Sequence, residues 1–307
     1  MSTSSSPRRV VLTGSSGLIG TALINKLTSG GHTVTKMVRR NPGPGDAVWN
    51  PTTGVIDSSA LEGADAVVHL AGEGIADSKW TAEHKRAVLD SRVQGTTLLA
   101  RTLAKLDAKP PVWVSGSAIG FYGNRGDDEL TESSPRGSGF LADVVQAWED
   151  ATADAESAGV RVAHIRTGIV MSTKGGALKQ QLLPFKLGVG GRMGSGKQWL
   201  PWITLDDEVA AIMHVINTDS LSGPVNLVSP HPVTNAEFTK VLGKALKRPT
   251  FIPIPLLPLK LLYGEEMVKE MLLASARVLP TKLQSSGFSF ADTDLLVGLR
   301  SLLSSHG

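Results

Sequence analysis

A short apolar run ending in a glycine-spaced turn constrains this chain more than any other feature. Arg9-Val10-Val11-Leu12-Thr13 reads as a strand and leads into Gly14-Ser15-Ser16-Gly17-Leu18-Ile19-Gly20. A helical pattern follows, with Ile19, Ala22, Leu23 and Leu27 on one face. Strand, glycine turn and helix in that order are the setting of a dinucleotide-binding turn. One glycine permits the tight turn, one lets backbone approach a pyrophosphate, and one lets the helix pack on the strand. The helix N-terminus then offers unpaired N–H groups and partial positive charge to phosphates. The bland alternative is an ordinary βα turn.

The next strand sharpens this. The run 32–38 leads into Arg39-Arg40, where a cofactor with a free 2′-hydroxyl would meet Asp or Glu. The first acidic residue of the chain is Asp46, so no carboxylate is available. Guanidinium groups suit a 2′-phosphate. The expected cofactor is therefore NADP(H), with Arg39 and Arg40 at its 2′-phosphate. A solvated basic strand end is the alternative.

Strand-like and helix-like segments alternate through the first half. The strands are expected at 65–72, 111–117 and 161–167, with helices at 80–106 and 140–157. This alternation predicts an α/β fold, a doubly wound (Rossmann) parallel sheet with ligands at the carboxyl ends of its strands. A helix opening at 202–207 and a late strand at 225–228 return to that sheet. We therefore expect an NADP(H)-binding domain over 1–170, joined by 203–229. A small, mostly helical C-terminal substrate domain takes 171–202 and 230–307.

With 307 residues the chain can bury one large core or two coupled ones. A net charge of +3 implies no nucleic-acid partner, and the absence of cysteine excludes disulfides and thiolate chemistry. The polar start Met1–Arg9 has no apolar signal core and reads as a frayed leader. The greasiest stretch, 249–259, holds four prolines and falls far short of the ~20 residues that span a bilayer. The expectation is a cytoplasmic protein with no membrane partner.

Gly191-Arg192-Met193-Gly194-Ser195-Gly196-Lys197 has phosphate-loop spacing. Gln198 follows where Ser or Thr would hold magnesium, and no strand precedes it, so nucleotide hydrolysis is not expected. We read it as a mobile basic loop over the cleft, with Arg192 and Lys197 on an anionic substrate. The seven histidines show no metal-ligand spacing, so no metal site is expected. His69, His164 and Trp148 read as core residues.

Together these residues resemble the short-chain dehydrogenase/reductase superfamily, extended type. Thr13 to Gly20 is similar to its cofactor loop, His69-Leu70-Ala71-Gly72 to its fourth-strand motif, and Ser115–Ala118 with Phe121-Tyr122-Gly123 to its active-site strand. Arg166-Thr167-Gly168 and Trp202–Asp207 also match its pattern. Gly72-Glu73-Gly74-Ile75 with Trp80, Ser91-Arg92, Phe140–Ala142 with Trp148-Glu149, Gly194–Trp199 and the tail from Pro249 through Pro280 resemble one atypical subgroup, the nucleoside-diphosphate-sugar epimerases of the SulA type. The resemblance implies that Leu70, Ala71, Gly72 and Arg166 line the cofactor. It implies a small-molecule substrate of the sugar-nucleotide class, and a homodimer through the helices at 80–106 and 140–157.

The superfamily's acid/base pair, Tyr-x-x-x-Lys, is absent: the two tyrosines, Tyr122 and Tyr263, have Gly126 and Met267 four residues on. At the expected place, about two dozen residues after Ser117, stand Phe140 and Val144. Two readings stay open. One is an epimerase, isomerase or oxidoreductase with Ser117 and Tyr122 as its rearranged catalytic pair. The other is an NADP(H) sensor or scaffold without turnover.

Overall fold

The computed structural model describes residues 7–304; the leader residues 1–6 lie outside it. In chain order the strands are β1 (Arg9–Thr13), β2 (Thr33–Val38), β3 (Ala47–Asn50), β4 (Val55–Ile56), β5 (Ala66–His69), β6 (Val112–Ala118), β7 (Glu129–Leu130), β8 (Arg161–Thr167), β9 (Ile169–Met171), β10 (Trp199–Leu200), β11 (Trp202–Thr204), β12 (Gly223–Leu227), β13 (Val233–Thr234) and β14 (Arg277–Val278). Eight of them form one sheet in the order β12-β8-β6-β5-β1-β2-β3-β4. Every pair in it is parallel except the β3–β4 edge hairpin. The near-continuous apolar runs of β1, β5 and β6 follow from burial on both faces.

The chain runs outward from β1 through β2 and β3, then returns to the other side of β1 with β5. That reversal, between β1 and β5, is where a doubly wound sheet opens a ligand crevice at its carboxyl edge. One face is covered by α1 (Leu18–Ser29) and α6 (Leu205–Asn217), whose apolar stripes meet Val10, Leu12, Val68, Val114 and Ile165. The other is covered by α2 (Ala82–Lys105) and by α3 (Phe140–Asp150) with α4 (Ala153–Ser157), around Trp49, Val67, Leu99 and Trp113.

Two helices differ from expectation. The stretch 140–157 is two helices, broken where Thr152 turns its hydroxyl and its own N–H onto the Glu149 carbonyl. The long helix starts at Ala82, because Thr81 caps it by accepting from the His84 N–H.

A third cluster forms where α5 (Gly176–Lys186), α7 (Asn235–Leu246) and the terminal helix Leu295–Ser304 pack Phe185, Phe238, Leu242 and Leu299 against Trp202. Two further ties join the C-terminal part to the loop and helix that follow β6, outside the main sheet. β14 pairs with β7. The Glu270 carboxylate accepts the first N–H groups of α3, from Phe140 and Leu141, satisfying donors that every helix start leaves open.

Candidate active site

The glycine turn is built as its spacing predicted. Gly14 has φ +73°, and a Cβ on it would stand 2.6 Å from the Leu70 carbonyl carbon. A Cβ on Gly20 would stand 2.2 Å from the Gly14 oxygen, so only hydrogen lets α1 close on β1. Gly17 is different: its Cβ would meet only the Gly14 oxygen, at 3.3 Å, and otherwise open space. No side chain caps α1 and no acid stands in its first turn. Its N–H groups and dipole therefore remain available to an anion. Ser15 is half-buried and Ser16 exposed on the rim.

A cavity of about 260 Å³ opens here, lined by Gly14, Gly17, Leu18, Ile19, Gly20, Leu70, Gly116, Ser117, Trp148, Thr167 and Val170. It joins the glycine turn to the ends of β6 and β8. Ala71 and Gly72 continue from Leu70 beyond its lining. That segment is held by α2: the Ser91 hydroxyl accepts the Glu73 N–H and Arg92 donates to the Glu73 carbonyl. Arg39 and Arg40 are exposed just past β2, with no acidic neighbour in sequence before Asp46.

Ser117 is 5% exposed, and its hydroxyl donates to Glu149 Oε1 at 2.6 Å. Glu149 is gripped by Arg166, with Nε to Oε1 and Nη2 to Oε2 both at 2.8 Å. Burial alone would push this carboxyl up, but the hydrogen bonds and charge of Arg166, helped by His164 and Ser117, hold it down to about 2. Glu149 is thus a fixed carboxylate that accepts only. Ser117 spends its one proton on it and turns acceptor lone pairs to any ligand. The site can receive an O–H or N–H from a ligand there; Ser117 in this arrangement does not protonate a carbonyl.

Tyr122 is placed elsewhere. Its side chain is fully buried, and its phenol donates toward Asn226 Oδ1 at 2.7 Å and the Thr131 carbonyl at 3.0 Å, while Arg166 Nη1 donates to it at 3.1 Å. Burial raises its pKa above the ordinary value despite Arg166. Tyr122 is absent from the cavity lining, and so is Arg166, whose guanidinium also lies 3.4 Å over the Phe121 ring. The structure therefore brings Ser117 to the glycine turn and sets Tyr122 and Arg166 behind it. Phe140, at the place of the superfamily tyrosine, packs edge-on against Trp80 under Lys85.

The basic glycine-rich segment is not free-standing. Met193 bridges to Ile254, whose N–H binds the Arg192 carbonyl, and Asn235 accepts the Met193 N–H. The Arg192 guanidinium turns back onto the Ser195 carbonyl. Lys197 lines a second cavity, about 470 Å³, with Asp127, Ser195, Gln198, Leu256 and Ser275 among its walls. The two cavities share no lining residue. His69 and His164 are core residues: His69 bonds Thr13 Oγ1, and burial holds its pKa down to about 3. His164 stands 3.7 Å from Glu149 and binds Thr152 and Glu156. Among the described residues no His/Cys/Asp/Glu group could hold a metal, and no helix is long and apolar enough to cross a membrane.

Sequence reasoning missed Glu149 as the partner of Ser117, and missed Glu208. Glu208 is fully buried on α6 and accepts from the Thr167 hydroxyl at 2.8 Å. A signal existed: residue 208 falls on the apolar stripe of Leu205, Val209, Ile212 and Val215, where a carboxyl must be buried.

Comparison with known proteins matches nearly the whole chain. The model of the NAD dependent epimerase/dehydratase family matches residues 10–227, and that of a domain of unknown function, DUF1731, matches 254–302. An epimerase family protein of Mycobacterium bovis is 43% identical over 282 residues, 92% of this chain and 93% of the relative. Epimerase family protein SDR39U1 of Homo sapiens is 36% identical over 298 residues, 96% of this chain and 99% of that one. The crystal structure of that human protein (isoform2), with NADPH, superposes with a TM-score of 0.87 at 34% identity, covering 96% of this chain and 99% of the other. The chain belongs to the NAD dependent epimerase/dehydratase family.

Proposed function

We propose that this protein binds NADP(H) with its pyrophosphate at the Gly14–Gly20 turn, its 2′-phosphate at Arg39 and Arg40, and its reactive end at Ser117. In this reading it is an oxidoreductase or isomerase acting on a hydroxyl-bearing substrate of the sugar-nucleotide class. The observation that carries the proposal is the uncapped α1 N-terminus opening into a cavity that ends at Ser117. The human relative solved with NADPH supports the same cofactor. The residues fit such a group, because the turn leaves backbone bare at Gly17, where a Cβ would stand in otherwise open space with only the Gly14 oxygen near it, at 3.3 Å.

When bound, the reduced cofactor supplies a hydride. The chain's own part is to orient: Ser117 accepts a hydrogen bond from a substrate alcohol or a carboxamide N–H, and Trp148 walls the cavity from water. Lys197 lines the second cavity, which in this proposal takes the anionic, non-reacting part of the substrate, and Arg192 braces its wall through the Ser195 carbonyl.

One observation favours a second reading, a cofactor sensor without turnover: among the described residues no titratable side chain lines the Ser117 cavity. Calorimetric titration tests the cofactor assignment. A charge-assisted contact of ~1.5–3 kcal/mol predicts that NADPH binds about tenfold to a hundredfold more tightly than NADH. Arg39→Ala and Arg40→Ala should shrink that gap. Equal affinity in the parent protein contradicts it. NADPH-dependent conversion of any sugar nucleotide, lost in Ser117→Ala, would decide for the enzyme over the sensor.

A further inference from the structure

Among the described residues the cavity lining lacks an ionisable group, yet one stands a single hydrogen bond behind it. Thr167 lines the cavity at the end of β8, and its hydroxyl bonds Glu208 Oε1 at 2.8 Å. Glu208 Oε2 has no hydrogen-bond partner among the described residues. We infer that Glu208, acting through the Thr167 hydroxyl, is the proton-holding group of the cofactor cavity, protonated beside the neutral reduced ring and deprotonated when the cationic oxidised ring binds. This rests on the NADP(H) reading above.

The surroundings keep other charges away from Glu208. On β8, Arg166 and His164 face Glu149 on the opposite side of the sheet, and Arg161 donates to the carbonyls of Val215, Ile216 and Leu221. On α6, Asp207 accepts the N–H groups of Ala291 and Asp292, His214 binds Ser286, and Asp206 is exposed. On α1 the one charged residue, Lys26, is exposed near the far end. The segments of β6, β9 and β11 carry no charged residue. Burial accordingly raises Glu208 to about 8, against the smaller lowering effect of the Thr167 bond.

A buried carboxyl feels a nearby cation strongly because little water screens it. A positive nicotinamide ring therefore favours the carboxylate, while the neutral dihydro ring leaves the acid intact. The step breaks the carboxyl O–H bond. Its electron pair stays on Glu208, whose Oε1 keeps the hydrogen bond that the Thr167 hydroxyl donates, and the proton is released to solvent. Nothing is oxidised or reduced.

The test needs no substrate. The parent protein is titrated with NADP+ and separately with NADPH at pH 7, in buffers of low and high ionisation enthalpy. A group with its pKa near 8 is roughly nine-tenths protonated at pH 7, so NADP+ should release several tenths of a proton and NADPH almost none. The 2′-phosphate is common to both and cancels. Glu208→Gln, a neutral near-isostere, should abolish the difference. In the parent alone, the ratio of NADP+ to NADPH affinity should rise about fivefold or more between pH 6.5 and 8 by linkage. Binding of both cofactors with no buffer-dependent difference overturns this inference alone, as does a release that persists in Glu208→Gln or a pH-independent ratio. Failure of either cofactor to bind overturns the cofactor reading as well.

Discussion

Two buried glutamates flank the sheet's carboxyl edge and titrate in opposite directions. Glu149 is held down to about 2 by Arg166. Its folded value lies below the unfolded one near 4.5, so its stabilisation is complete above about pH 4.5 and drains away as pH falls toward 2. The shift is worth about 3 kcal/mol at most. Glu149→Gln leaves the Arg166 guanidinium buried without its counter-charge, which costs ~3–5 kcal/mol at pH 7. Urea unfolding should show that loss at pH 7 and a smaller gap near pH 3; a gap that widens in acid would contradict the assignment. Glu208 runs the other way. Held protonated to about 8, it binds a proton in the fold that the unfolded chain gives up above about 4.5, so it costs stability as pH rises through that window. Glu208→Gln should melt higher than the parent at pH 8 and flatten that slope, by an amount on the order of a few kcal/mol. No difference between pH 5 and 8 would place the carboxylate in an environment that tolerates its charge. Neither partner was readable beforehand, because Glu149 reaches Ser117 across 32 residues and Glu208 reaches Thr167 across 41. Tyr122 shows the same limit: its motif position pointed to the cofactor, but its phenol is committed to Asn226, 104 residues away.

At the scale of elements, the glycine turn separates folding from binding. Gly14 and Gly20 are needed by the backbone itself, one for its positive φ beside Leu70 and the other for contact with Gly14. Gly14→Ala should cost ~1–3 kcal/mol of stability. Gly17 has extended backbone, φ −73° and ψ 168°, and open space where its Cβ would go. Gly17→Ala should therefore melt within about 1 kcal/mol of the parent while weakening NADPH binding tenfold or more. Loss of stability in Gly17→Ala, or retained affinity, would show that the open side of Gly17 is not the phosphate cradle. This turn was legible because strand, glycines and helix stripe follow one another without a break between Arg9 and Leu27. The β3–β4 hairpin was not, since Ala47-Val48-Trp49-Asn50 gains its strand identity only by pairing with β2. The segment 188–197 was read as mobile from its glycines, and its ties to Ile254 and Asn235 come from chain more than 40 residues downstream.

Over the whole molecule, the sheet reversal between β1 and β5 sets the glycine turn beside Ser117. The C-terminal part closes over the same edge, tied by Glu270 at the start of α3 and by the β7–β14 pair. That architecture was legible from the alternation of apolar runs, because a parallel sheet buries both faces and leaves its rhythm in the sequence. The chemistry was less so: Phe140 and Val144 stand where the resemblance leads one to expect tyrosine and lysine, and the groups that stand near the cavity are gathered from β6, α3, β8 and α6. In the proposed binding mode one extended NADP(H) molecule runs from Arg39–Arg40 over Gly17 to Ser117. A crystal structure with NADPH bound tests it most directly. The 2′-phosphate is expected against Arg39 or Arg40, the pyrophosphate on the α1 N-terminus, and the nicotinamide ring in the cavity between Ser117 and Thr167. An adenine ring in that cavity, or a pyrophosphate away from the glycine turn, would contradict it.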